Sequence, residues 1–138
     1  MIVKELERIL KNPGRQSATF DSLVDDFREG RDAFELIELL DSANDELVQI
    51  GCYILGEIQT SKYDNELFRK RLRQLTTHSV PAIRLHSFNA IFPFLGSGNT
   101  ATVEIVTRLL ADENDGVRMT ATAAARRLQV FEQERQEP

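Results

Sequence analysis

Two histidines and one cysteine carry the sharpest chemistry in this chain of 138 residues. His78 and His86 stand either side of a turn, and Cys52 lies far upstream in QIGCYILGEI. That spacing makes no metal-ligand set. Cys52 has apolar neighbours and no adjacent group to lower its pKa, so it reads as a small buried core residue rather than a nucleophile. A lone cysteine also excludes an internal disulfide framework. No glycine-rich phosphate loop, nucleophile elbow or HExxH helix occurs. The chain is therefore read as a non-enzyme, with no catalytic residue, cofactor or metal expected.

Charge is the second resource. The net charge is -5, which disfavours general attraction to nucleic acid. It is unevenly spread: residues 1 to 60 carry 13 acids and 6 bases, whereas residues 61 to 98 carry 2 acids and 6 bases. Ten acids fall between Asp21 and Glu46, among them Asp21, Asp25, Asp26 and Glu29. Read plainly, they are helix N-terminal acids and solvated faces. Read functionally, they form an acidic surface that steers a basic protein partner. The basic run Arg69, Lys70, Arg71, Arg73 has a bland reading too, an outer helix paired with acids of the segment before it. Its functional reading is a phosphate contact.

These residues need elements to position them, and the apolar spacing supplies helices. Residues 2 to 11 form a short helix stopped by Asn12-Pro13-Gly14. Phe20, Leu23, Val24 and Phe27 sit at i, i+3, i+4 and i+7 in a helix over roughly 19 to 29, capped by Ser17 or Thr19 and ended by Gly30. Asp32 and Glu35 suit a capping box for a third helix with a broad apolar face of Phe34, Leu36, Ile37, Leu39 and Leu40. Further helices are predicted over 47–58, 66–75, 82–95 and 100–110, and from about 115 to 128. Pro81 suits a helix start, and Pro93 should kink or finish its helix. Phe88, Phe92 and Phe94 around that proline read as core. Thr60 to Asp64 is a linker, Gly96-Ser97-Gly98 an exit loop, and residues 129 to 138 a frayed tail. The N-terminus is not a signal peptide, and no stretch suits a membrane span, so a cytoplasmic address is expected.

The second helix of each pair repeats. Leu47-Val48, Ile83-Arg84 and Val117-Arg118 are spaced by 36 and 34 residues. Four residues on stand Gly51, Ser87 and Ala121, all small, which should let second helices approach closely. A helix pair cannot bury its apolar face alone, and a period of this length signals stacked pairs, an α-solenoid. The stretches LLADENDGVRMTATAAARRL, LTTHSVPAIRLHSFNAIFPFL and LLDSANDELVQIGCYILGEI resemble the HEAT repeat, including its phycobilisome-lyase-like variety. The third copy has Asp115 in the turn and Arg118 in the family's arginine position. The second keeps Arg84 without the aspartate, and the first keeps Asp45 but has Val48 for arginine. The aspartate–arginine ladder of such repeats is thus incomplete.

The expected architecture is an all-α, right-handed solenoid in one domain: a capping helix pair over 1–30, then HEAT-like pairs over 31–60, 64–97 and 99–128. Its expected job is non-catalytic protein binding on a concave or acidic face, with an immunity-type inhibitor of a basic toxin as one form. The contact residues named by this reading are Asp21, Asp25, Asp26, Glu29, Tyr53, Glu57, His86, Asn89 and Arg118. Open solenoid ends allow a monomer or a weak dimer. The resemblance also implies a competing class, a phycobilin-lyase-like enzyme or lyase chaperone, in which Cys52 and nearby acids line a chromophore-sized groove. A nucleic-acid-binding protein using Arg69, Lys70 and Arg73 is the third class.

Overall fold

Two kinds of turn start the second helices, and both follow from the local sequence. Asn44 accepts the Glu46 N–H on its side-chain oxygen at 3.0 Å, and Asn114 accepts the Val117 N–H at 3.1 Å. Each satisfies one of the free N–H groups at a helix start. The equivalent position in the middle pair is Val80, which has no side-chain cap; Pro81 follows it and has no N–H to satisfy.

The computed structural model describes residues 2–11, 16–58, 66–94 and 100–136. Among them are eight α-helices and no strand: α1 (Ile2–Leu10), α2 (Gln16–Arg28), α3 (Glu35–Leu40), α4 (Asp45–Ile58), α5 (Glu66–Leu75), α6 (Pro81–Ile91), α7 (Thr100–Leu110) and α8 (Asp115–Gln136). The breaker at 12–14, the linker from Thr60 to Asp64 and the loop at 96–98 lie outside the described residues. No helix among those described is long and apolar enough to cross a membrane.

Helices pack in two relations. Each short leading helix lies against the helix that follows it: α3 on α4, α5 on α6, α7 on α8. The trailing helices lie against one another in sequence, α2 on α4, α4 on α6 and α6 on α8, while α1 packs on α3 and α3 on α5. The N-terminal pair α1–α2 joins both rows. One set of buried residues runs from Ile2 through Ile91, and a second joins Phe88 to Ile105, Val106, Leu109, Val117, Ala121 and Ala124.

Polar side chains tie one pair to the next. Arg31 bonds Glu5 of α1 at 2.9 Å and Glu35 of α3 at 2.6 Å, with its guanidinium 5.2 Å from the centroid of the Phe27 ring. Arg71 meets Asp41 at 2.9 Å. His78 accepts the Val80 N–H on Nδ1 and turns Nε2 towards Asp45 at 3.4 Å. Arg108 donates to the buried Thr76 hydroxyl at 2.6 Å. The most enclosed tie is Arg84 with Asp112: two parallel bonds of 2.8 Å, on side chains only 10% and 8% exposed. Arg84 Nη1 also donates to the His78 and Ser79 carbonyls.

Several expectations need correction. The capping box at Asp32 and Glu35 does not form; Asp32 accepts the Phe34 N–H, and Glu35 is held by Arg31. Phe34 is not on the buried face but 62% exposed, its ring 6.4 Å from that of Phe68. Gly51 does make a close approach, but to α3 of its own pair: an added Cβ would lie 2.9 Å from Leu39 Cβ. Gly56, instead, faces the Ala90 backbone of α6 at 3.9 Å. Pro93 ends α6 early, and Phe92–Phe94 follow as a single 3-10 turn. The last helix does not stop near 128 but stays helical to Gln136. The turn before Arg84 has no aspartate, as expected; Arg84 pairs instead with Asp112 in the turn of the following pair.

Candidate functional site

The trailing helices present one continuous face. Phe20 of α2 and Gln49, Ile50 and Tyr53 of α4 border one hollow together with His86 of α6. Further along, Arg28 of α2 donates to the Glu57 carbonyl of α4 at 2.7 Å. The two contacts pair early with early and late with late, so α2 and α4 run in the same direction. Tyr53 beside His86 and Gly56 beside Ala90 say the same of α4 and α6. Residues spaced by three or four on these helices therefore line up in parallel stripes: Asp21, Asp25 and Arg28 on α2; Gln49, Tyr53 and Glu57 on α4; His86 and Asn89 on α6.

Two adjoining hollows occupy that face. One, of about 300 Å³, is lined by residues including Tyr53, Glu57, His86, Asn89, Pro93 and Arg127, with Cys52 at its floor. The other, of about 170 Å³, is bordered by Phe20, Gln49, Ile50, Tyr53 and His86. Tyr53 and His86 stand between them, edge to face with ring centroids 6.3 Å apart. They divide one groove that starts at α2 and ends at α8.

The electrostatics of the groove follow from burial and neighbours. Desolvation lowers the His86 pKa below its ordinary value, which keeps the imidazole neutral at neutral pH. The Tyr53 hydroxyl is raised, first by burial and then by the negative charges of Glu57 and Asp21, so it stays a neutral donor. Cys52 is fully buried, and burial pushes its thiol up to about 12. A thiol in that state has almost no thiolate to attack with.

The hollows bring together four of the expected contact residues, Tyr53, Glu57, His86 and Asn89. Asp21 and Asp25 line neither hollow; Asp21 acts on the Tyr53 hydroxyl through its charge, and Asp25 lies 3.8 Å from Arg28 on its own helix. Asp26, Glu29 and Arg118 lie elsewhere. Asp26 faces Arg31 at 3.8 Å, on the side of α2 towards α3. Glu29 is exposed in the turn after α2, its N–H bonded to the Asp25 carbonyl. Arg118 serves the last turn: it donates to the Asp112 carbonyl at 2.6 Å and pairs with Asp115. It borders a separate depression with Leu110, Met119, Thr122 and Arg126. Arg127 and Phe20 were missed. Phe20 stands in the sequence only as one of four apolar helix positions, and Arg127 falls past the alanines at the end of the repeat match, where no pattern marks a facing.

The basic run has partners. Arg69 and Arg73 both reach Glu66, at 3.4 and 2.9 Å, and Arg71 reaches Asp41 of the preceding pair. Among the described residues, no group of three or more His, Cys, Asp or Glu side chains is placed to hold a metal ion.

Among the described residues the chain is thus all-helical, with a groove that crosses the parallel helices α2, α4 and α6 and reaches Arg127 of α8. Comparison with family models, curated proteins and solved structures finds no match to this chain.

Proposed function

We propose that this chain is a right-handed HEAT-like α-solenoid that binds a protein partner, without catalysis, in the groove of its trailing helices. The observation that carries the reading is the groove itself. Side chains from successive parallel helices converge on it already ordered, and preformed surfaces lose little entropy on binding. Its mixture of aromatic ring, imidazole, amide and charge suits a peptide segment, which offers apolar and hydrogen-bonding groups together.

The solenoid part of the proposal is supported by the two rows of helices and by ties recurring between one pair and the next. An immunity-type inhibitor is one form such a module takes, acting in the cytoplasm on a soluble target as a monomer or weak dimer. The lyase-like alternative asks Cys52 to react from the groove floor, and burial opposes that. The nucleic-acid alternative asks for unpaired cations on α5, whereas Arg69, Arg71 and Arg73 each lie against an acid.

The test is site-specific photocrosslinking. A photoreactive residue is placed at Asn89, in the groove, or at Lys70, on the outer helix, and exposed to the native lysate. The proposal expects one protein to be trapped from Asn89 and not from Lys70. That protein, purified, must bind the wild-type chain at least about tenfold tighter than the Tyr53→Ala/His86→Ala variant. Trapping only from Lys70, or equal affinity for the variant, rejects the groove.

A further inference from the structure

Equivalent positions in the three helix pairs differ in exposure. By the spacing of 36 and 34 residues, Leu40, Thr76 and Leu110 occupy one position, and Val48, Arg84 and Arg118 another. Leu40 and Thr76 are buried, whereas Leu110 is 41% exposed. Val48 and Arg84 are buried, whereas the Arg118 side chain is 41% exposed. Cys52 and Phe88 are buried, and Thr122 at the same position is only half-buried. In the middle pair the cover comes from the pair that follows: Arg108 reaches Thr76, and Asp112 reaches Arg84. Among the described residues nothing covers α7 and α8 in that way.

The open face is a depression of about 700 Å³, bordered by Leu110 of α7 and by one stripe of α8 that runs from Asp115 to Arg126. Met119, in the middle of the stripe, is 73% exposed, more than any other large apolar side chain among the described residues. The stripe has a chemical order. An acid, Asp115, stands at its start and a base, Arg126, at its end, about 17 Å apart along the helix. Asp115 pairs with Arg118 of its own turn yet keeps 86% of its side chain exposed, so a second cation can reach it. Arg126 has no ion pair among the described residues.

Such a stripe is complementary to itself when reversed. About a two-fold axis between residues 120 and 121, antiparallel helices bring Asp115 of each copy to Arg126 of the other. Met119 then faces Thr122, and Arg118 faces Ala123. Each long side chain meets a short one, and both ends join opposite charges. A parallel alignment would instead set Met119 on Met119 and Arg126 on Arg126.

We propose that α7 and α8 are the self-association surface of this chain, a two-fold dimer in which α8 packs antiparallel on α8 of a second copy. A closed two-fold interface uses the same patch on both copies, and this stripe meets that requirement. The dimer covers Met119 and Leu110 and gives each Asp115 a second cation. One helix face of about three turns makes a small interface, so the dissociation constant should lie in the micromolar range. Arg127, the residue after the stripe, lines the groove, so dimerisation leaves the groove open and is independent of what binds there.

Sedimentation equilibrium of the full chain is the test. Wild type should fit a monomer–dimer equilibrium between about 5 and 500 µM. Asp115→Arg sets arginine against Arg126, and Arg126→Asp sets aspartate against Asp115, so each variant alone should lose about tenfold or more in self-affinity. Mixed in equal amounts, the two variants should pair within about threefold of wild-type affinity, because both contacts then join opposite charges. Met119→Glu, a change on an exposed side chain, should also weaken the dimer about tenfold, since it buries a charge there. Circular dichroism reports the fold of every variant, and recovery in the mixture reports it independently.

A wild-type chain that stays monomeric at about 500 µM overturns the proposal, and the face then belongs to another protein or to none. Self-association that all three variants retain also overturns it, by moving the contact elsewhere. Charge variants that weaken the dimer singly and fail to pair when mixed overturn the two-fold arrangement.

Discussion

Replacing Asp112 by asparagine should destabilise the whole chain. The change keeps size and shape, and the asparagine oxygen can still accept the Asn114 N–H that Asp112 accepts at 2.9 Å. What is lost is the negative charge facing Arg84, a bidentate partner at 2.8 Å in a nearly closed site. Removing one member of a buried pair costs about 3–5 kcal/mol, because the other is left uncompensated. Arg84 keeps the carbonyls of His78 and Ser79, so the cost falls at or just below the lower end of that range, about 2–3 kcal/mol. Unfolding entropy for a chain of this length is about 0.3 kcal/mol per kelvin, so the midpoint should fall by about 7–10 °C.

Thermal unfolding followed by circular dichroism reads this directly. Arg84→Met combined with Asp112→Leu should recover only part of the loss: it strands no charge, but it removes the partners of the Asn114 N–H and of the His78 and Ser79 carbonyls. The pH dependence has a definite sign. Arg84 holds the Asp112 carboxyl below the usual carboxylate range. Its contribution is therefore fully present above the unfolded value of about 4 and is lost as pH falls through the depressed folded value. The gap between wild type and Asp112→Asn should close in acid. A variant melting within about 2 °C of wild type at pH 7 refutes the reasoning, for it means that the pair contributes nothing net.

Other predictions follow from single contacts. Gly51→Ala should destabilise by about 1–2 kcal/mol in urea titration despite alanine's better helix propensity, because its Cβ would meet Leu39 Cβ at 2.9 Å. Cys52 should react with a thiol reagent at pH 8 about a thousandfold more slowly in the folded chain than in urea, since burial raises its thiol to about 12. His86 has a folded pKa below its unfolded value of about 6.5, so its share of stability is present above that pH and declines as pH falls below it. His86→Gln should flatten that slope below about pH 6.5 in chemical denaturation.

The helices were legible because amphipathic spacing and breakers act locally. Glu66–Leu75 and the start at Pro81 emerge with the bounds that the apolar positions and the proline dictate. What failed needed information from elsewhere in the chain. Phe34 looks like core by its spacing, but α3 begins only at Glu35, so its ring sits outside the helix face and lies towards Phe68. Glu35 suits a capping box until Arg31 competes for its carboxylate. Gly51 advertises a close approach without saying to which helix. Asp112 and Asp115 flank the same turn; the repeat pattern picks Asp115, yet Asp112 reaches back 28 residues to Arg84.

The candidate site was legible in part for the same reason. The positions Tyr53, Glu57, His86 and Asn89 share a face because α4 and α6 lie side by side in the same direction. Asp26 is one residue round the helix from Asp25 and so turns towards Arg31. Arg118 belongs to the repeat's structural arginines: it bonds the carbonyl six residues back, as Arg84 does with His78. Helical phase relative to neighbouring helices separates these cases, and local sequence does not encode it.

The measurement that bears most directly on the groove is the affinity of the crosslinked partner, purified and titrated by calorimetry against three forms of the chain. They are wild type, Tyr53→Ala/His86→Ala in the groove, and Leu110→Ser/Met119→Ser on the exposed face of α7 and α8. A groove-binding module predicts a loss of tenfold or more for the groove variant and wild-type affinity for the other. The opposite pattern, with α7–α8 sensitive and the groove silent, contradicts the account and moves the interface to the end of the helical rows.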